Sequence, residues 1–375
     1  MPGRKPGPGA RSATEPLDSQ QVVELLEEYL LGSTPTLTGP QIAADVGISM
    51  DLARQRWRSL GFTAVDDDEV AFTEADLEAM RLTQRLHELG MIEEDDEAAL
   101  IRTLGRSFAR LAEWQLGLLG RAVDPNDLDV DGLAGVVAEV TPVIEQVQNY
   151  IWRRHVLSAA SRLLLAPPAD EEGVVNAGIG FADIVGYTRQ TRSLKQEELA
   201  RLVDVFEARA LTIVTAHDGR IIKTIGDEIL FAADRAEDIA HIALELVEEH
   251  LRDEDFPQLR VGVAWGPVLS RLGDVFGPTV NIAARLTSVA RPGRVLADKE
   301  LAEALHGNES FKLRRMRRTA VKGYRRLEPW KLRRPDDEDL PPAAAFLQER
   351  SEDLRRVVDE IQARAEREAE DGDQG

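Results

Sequence analysis

Apolar positions recur every three or four residues through the first half of the chain, and gather in short runs through the second. Leu17 to Leu31 therefore reads as one amphipathic helix. Thr73-Glu74-Ala75-Asp76 resembles a capping box with Asp in place of Glu or Gln, opening a helix that stops near Gly90. Glu94 to Ala122 is a longer helix, with Leu104, Phe108, Leu111, Trp114 and Leu118 at helical spacing. Asp124-Pro125-Asn126 makes a turn. A third long helix, Gly132 to Leu165, contains Pro142, which should kink it or start it afresh. Pro167-Pro168 forms a stiff hinge.

Beyond that hinge the period changes. Strands are expected near 174–183, 219–225, 228–233, 259–265, 294–297, 311–317 and 326–331, and helices near 195–217, 236–251, 279–290 and 299–305. Their alternation around one sheet predicts an α+β domain of ferredoxin-like, palm architecture, preceded by an all-α domain. The expected divisions are a disordered start over 1–15, a helical domain over 16–166, a linker over 167–173, the α+β domain over 174–334 and a charged helical tail over 335–375. In the tail, Phe346, Leu347, Leu354, Val357, Val358 and Ile361 would line one helix face.

Composition narrows the function classes. The formal net charge of the 375 residues is -21, which speaks for solubility and against general nucleic-acid binding. There is no Cys, so disulfides, thiolate metal sites and thiol switches are excluded; this fits a cytoplasmic protein. Met1 to Ser12 is basic but rich in Pro and Gly, unlike a signal peptide. No apolar run approaches the roughly 20 residues a bilayer span needs, so no membrane association is expected.

Three segments carry candidate chemistry. Gly273-Asp274-Val275-Phe276-Gly277-Pro278-Thr279-Val280-Asn281-Ile282-Ala283-Ala284-Arg285 places a loop carboxylate before a helix that begins at Pro278 and Thr279. Asn281 and Arg285 are four apart and share a face. Phe181-Ala182-Asp183-Ile184-Val185-Gly186 ends an apolar run with a carboxylate. Ile221-Ile222-Lys223-Thr224-Ile225-Gly226-Asp227-Glu228-Ile229 reads as two strands joined by a tight Gly-Asp turn. Two Asp side chains at strand ends suit a two-cation site, because magnesium takes oxygen ligands from one or two carboxylates plus substrate phosphates. Each residue alone has an ordinary structural role; their joint order carries the chemistry.

These segments resemble the catalytic domain of class III nucleotidyl cyclases, from about Asn176 to Trp330. The resemblance implies metal binding by Asp183, Ile184 and Asp227, with two Mg2+ or Mn2+ ions per site. It implies base selection by Lys223 and Asp274, transition-state contacts from Asn281 and Arg285, and triphosphate binding by Lys322 in Val321-Lys322-Gly323. It further implies a head-to-tail homodimer with shared sites. One subunit then supplies the aspartates, and the other the base, ribose and phosphate contacts.

The expected reaction sets the ribose 3′-hydroxyl of a nucleoside triphosphate against the α-phosphorus, with pyrophosphate leaving in line. Arg285 suits the α-phosphoryl oxygens because its planar fork is always charged. Lys322 suits the β and γ groups, and Asn281 would hold the ribose. Adenine offers an acceptor at N1 and a donor at N6, which a Lys and an ionised Asp complement; guanine reverses both. ATP is therefore the expected substrate and cyclic AMP the product.

The first domain adds one more motif. Leu37 to Ser49 reads like a helix-turn-helix, followed by Met50 to Leu60 and a small wing at Phe62–Phe72. Its second helix carries Arg54, Arg56 and Arg58, but Asp66-Asp67-Asp68-Glu69 follows and would repel phosphates, so a packing module is the default and DNA is disfavoured. The long helices would instead set the geometry of the catalytic dimer. Related bacterial cyclases with helical N-terminal modules include acid-responsive ones, and His87 and His155 lie beside acidic runs here. Two rival functions are a DNA-binding transcription regulator and a diguanylate cyclase. The latter's signature is only partly matched by Ile225-Gly226-Asp227-Glu228-Ile229.

Overall fold

The computed structural model describes residues 19–92, 94–122, 130–165, 174–187, 191, 194–271, 273–317, 319–321 and 324–336. The expected disordered start, the Asp124-Pro125-Asn126 turn, the Pro167-Pro168 hinge and all but the first residues of the charged tail lie outside these. The chain divides into two compact units, Met1–Pro168 and Ala169–Gly375. Among the described residues, no helix is long and apolar enough to cross a membrane.

The first unit opens with α1 (Ser19–Leu31), β1 (Leu37–Thr38), α2 (Gly39–Val46), α3 (Met50–Leu60), β2 (Val70–Phe72) and α4 (Glu74–Glu88). β1 and β2 pair antiparallel, with Leu37 opposite Phe72, so one small ribbon joins the helices. The Ser49 hydroxyl caps α3 by accepting from the Leu52 N–H at 3.2 Å. The box at Thr73 forms as its spacing predicts: the Thr73 N–H donates to Asp76 at 2.8 Å, and the Asp76 N–H donates to Thr73 Oγ1 at 3.4 Å. Ile42, Ala53, Trp57, Phe72, Leu77 and Met80 close a small core, in which the Trp57 and Phe72 rings stack at 4.3 Å.

The arginines of α3 are engaged within this module. Arg54 donates to Asp67 at 2.6 Å. Arg56 is 3% exposed and donates to Glu97 at 2.5 Å and Gln84 at 3.1 Å. Arg58 donates from Nε to the Arg54 carbonyl at 3.2 Å. Arg54 and Arg56, paired with the protein's own acids, are not available to release DNA counterions, which favours the packing role.

Two long helices follow, α5 (Glu94–Ala122) and α6 (Val130–Leu165). α6 does not restart at Pro142, which lies inside one continuous helix. Pro142 and Ala138, whose carbonyl loses its partner, are both on an exposed side where water can serve it.

The second unit runs β3 (Val174–Ile184), α7 (Gln196–Ala216), β4 (Arg220–Ile225), β5 (Glu228–Ala233), α8 (Ala236–Arg252), β6 (Leu259–Arg271), β7 (Asp274–Phe276), α9 (Pro278–Val289), β8 (Val295–Ala297), α10 (Lys299–Ala304), β9 (Lys312–Arg315), β10 (Thr319–Val321), β11 (Tyr324–Leu327) and β12 (Trp330–Arg333). The main sheet has the order β4-β5-β3-β6-β8-β12-β9, with β7 on β6. Its first four strands, with α7 and α8, form the β-α-β-β-α-β unit of ferredoxin-like folds. β6 and β8 pair parallel, and the other neighbours in this sheet pair antiparallel.

Alternation sorts the strand residues onto two faces. Ala182, Ile184, Ile229, Phe231, Val261 and Val263 pack with Phe206 of α7 and Ile239 of α8. Ile179, Phe181, Leu230, Ala264 and Val268 pack with Ala283 of α9. The single strand expected over 326–331 is two: β11 ends at Leu327 and β12 begins at Trp330, with Glu328 and Pro329 between. Proline brings no N–H to a ladder, so the pairing breaks there. β10 and β11 form a separate ribbon.

Candidate active site

The β3–β5–β6 register assembles the first cluster. Asp183 stands opposite Glu228 on β5 and opposite Arg260 on β6. Alternation puts this row on the face that carries Phe181 and Leu230, the α9 side of the sheet. Asp227 sits beside it in the β4–β5 turn, where Gly226 takes φ +65° and so allows the tight reversal. The Asp227 carbonyl accepts the Ile184 N–H at 3.1 Å, fixing the turn to the end of β3.

The electrostatics of this cluster are those of crowded acids. Burial pushes the Asp183 carboxyl up, Arg260 pulls it down, and Asp227 raises it again. The Arg260 Nε donates to Asp183 Oδ2 at 2.5 Å. Glu228 is pushed up to about 7, by burial first and then by Asp183 and Asp227, with Arg260 opposing. Like charges held together in a half-buried site favour a cation, and carboxylate oxygens suit a hard one. Among the described residues no three His, Cys, Asp or Glu side chains form a ready-made cage. Two carboxylates do not need one when substrate phosphates complete the shell. Ile184 is 2% exposed with its side chain in the core, so its backbone carbonyl is all it could offer an ion.

A second cluster pairs Lys223 with Asp274. Lys223 Nζ donates to Asp274 Oδ2 at 2.5 Å, across 51 residues of sequence. Lys223 stands opposite Leu230 on β5, and so belongs to the same face as Asp183. Asp274, expected in a loop, is instead the first residue of β7 and pairs with Arg271 at the end of β6. Its other oxygen accepts the Val275 N–H at 2.8 Å, which orients the carboxylate.

Helix α9 presents Asn281 and Arg285. Thr279 Oγ1 donates to the Pro267 carbonyl at 2.9 Å, and Thr287 Oγ1 to the Phe181 carbonyl at 3.2 Å, so hydroxyls near both ends fasten it to the sheet. Gly262 permits the close approach: a Cβ there would lie 2.2 Å from the Thr287 nitrogen. Ala283, Leu286 and Thr287 are buried beneath the helix, leaving Asn281 exposed and Arg285 half-buried. Among the described residues neither of those two side chains has a hydrogen bond or ion pair. Lys322 lies outside the described residues.

A cluster of acids and a Lys–Asp pair are thus assembled within one chain, while no hydrogen bond or ion pair among the described residues joins the Arg285 or Asn281 side chain to either. Sequence reasoning missed Arg260 and Glu228. Arg260 is 77 positions from Asp183, and only the β3–β6 register brings them together. Glu228, next to Asp227, was legible as an acid but not as a half-buried one crowded by two others.

Known proteins bear on this arrangement. The family model described as adenylate and guanylate cyclase catalytic domain matches residues 170–334, and that described as adenylate cyclase regulatory domain matches residues 12–145. An adenylate cyclase of Glutamicibacter nicotianae is 37% identical over 345 residues, covering 87% of this chain and 86% of that protein. One from Streptomyces coelicolor is 38% identical over 343 residues, covering 83% of this chain and 89% of that protein. A pH-sensitive adenylate cyclase of Mycobacterium tuberculosis is 32% identical over 292 residues, covering 75% of this chain and 73% of that protein.

Proposed function

The chain belongs to the adenylate cyclases that join this catalytic domain to this regulatory domain, and from that premise we propose how its own residues form cyclic AMP. Asp183 and Asp227, with the Ile184 backbone carbonyl, hold two Mg2+ or Mn2+ ions. The crowding of acids around Asp183 and Glu228 is the observation that carries this assignment. When bound, such ions lower the pKa of the attacking 3′-hydroxyl and neutralise the triphosphate. Arg260 holds the Asp183 carboxylate in place and offsets part of the acidic charge.

Lys223 donates to adenine N1 and Asp274 accepts from N6, exchanging their mutual bond for the base edge. Asn281 orients the ribose. Arg285 stabilises the charge that builds on the α-phosphoryl oxygens, and Lys322 that on the leaving pyrophosphate. The open Asn281 and Arg285 side chains support a site completed by a second copy: a homodimer with two equivalent shared sites. Purified protein given ATP with magnesium or manganese should form cyclic AMP and turn over GTP poorly. A cyclic dinucleotide from GTP alone would instead indicate a diguanylate cyclase.

The N-terminal unit controls this geometry, with acid as its signal. The name of the Mycobacterium relative supports that, as does His87, whose Nδ1 is buried without a hydrogen-bond partner among the described residues. His155, by contrast, is exposed on α6. Removing residues 1–169 is therefore expected to change the pH–rate profile; an unchanged profile would place the response elsewhere.

A further inference from the structure

Helix α6 is apolar on more sides than its own unit covers. Val137 is buried and Val140 and Ile144 are half-buried, and α6 packs against α1. The adjoining stripe is open: Val143, Val147, Tyr150, Leu157 and Leu164 are between 51% and 81% exposed. Their spacing follows a repeat of about 3.5 residues over some three heptads, the pattern of a coiled-coil seam. Arg154 and Ser161 take the two remaining positions. A lone helix in water gains nothing from displaying such a stripe, and contiguous apolar surface of this length marks an interface.

We propose that this stripe is the seam of a parallel, in-register pairing between α6 and the α6 of a second copy of the chain. The pairing rests on the shared-site homodimer proposed above, which supplies the second copy. α6 ends at Leu165 and β3 begins at Val174. The residues between can span at most about 30 Å, so each α6 is tethered by its C-terminal end to a catalytic domain of the same dimer. Register follows from the sequence of the stripe. In parallel register like meets like, and every apolar position faces an apolar one. An antiparallel pairing centred on Arg154 would set Val147 against Ser161 and lose that match. Arg154 can lay its aliphatic stem along the seam and keep its charge at the rim.

The chain has no Cys, so any introduced thiol is the sole one. Full-length Tyr150→Cys and Val143→Cys are each expected to form disulfide-linked dimers under mild oxidation. Ala159→Cys, exposed and half a turn round from Tyr150, should link at least about tenfold more slowly, because thiols on far faces cannot meet. Linking at only one of Tyr150→Cys and Val143→Cys would mean a pairing that is not parallel and in register, and would overturn the proposal. Equal linking at all three, or none at the first two because the stripe is covered within one chain or by a lipid surface, would also overturn it. Activity regained by mixed site mutants without this cross-link sinks the seam alone; the cross-link without regained activity sinks the shared site and leaves the seam standing.

Discussion

Asp227→Ala should cut cyclic AMP formation by roughly a hundred- to a thousandfold while leaving the protein folded, since one preorganised charge-stabilising group is worth about that much in a phosphoryl or acyl transfer. The fold should survive because the Asp227 contribution to the turn is its carbonyl, which accepts the Ile184 N–H and is kept by Ala. Gly226, which supplies the left-handed backbone, is untouched. Removing a like charge also relieves Asp183 and Glu228, both pushed up partly by Asp227, so thermal stability should hold or rise slightly. The loss should fall mainly on kcat, because the missing interaction strengthens as charge builds in the transition state. Steady-state kinetics beside a melting curve would check this. Undiminished turnover would remove Asp227 from the metal site.

The second large effect concerns the base. Lys223→Ala or Asp274→Ala should lower the ratio of kcat/KM for ATP over GTP by tens to about a thousandfold, because each buried mismatch costs roughly 1–3 kcal/mol. The two side chains are bonded at 2.5 Å, so removing one also unseats the other. The double mutant should therefore lose much less than the sum of the single losses, the mark of a coupled pair. Competing-substrate assays would measure it. A ratio unchanged by either substitution would assign base selection elsewhere.

Much of this was legible in the chain because local chemistry and tertiary structure agree. The Thr73 box and the bounds Glu94–Ala122 follow from capping and periodicity, and both appear as expected. The β4–β5 hairpin follows from Gly226-Asp227. What escaped depended on pairing between distant strands. β6 was expected to end near residue 265, yet it continues through Gly266 and Pro267 to Arg271. Its β8 partner reaches only Val263, so Pro267 sits where one edge of β6 has no β8 ladder to break. That extension gives β7 a partner, and β7 is what carries Asp274 to Lys223. Seen alone, Asp274-Val275-Phe276 is too short to signal a strand. The Arg260–Asp183 contact was invisible for the same reason: no local pattern announces a residue's neighbour on the next strand.

The most direct measurement mixes two inactive proteins. Asp183→Ala lacks part of the metal half and Arg285→Ala part of the phosphate half, so each homodimer should be dead. Heterodimers isolated through two different tags would hold one intact site of two, and an unsorted equal mixture should recover about a quarter of wild-type activity. Recovery at that level is the predicted result. Purified heterodimers as inactive as their parents would contradict the shared site, and with it the claim that these side chains meet across two copies of one chain.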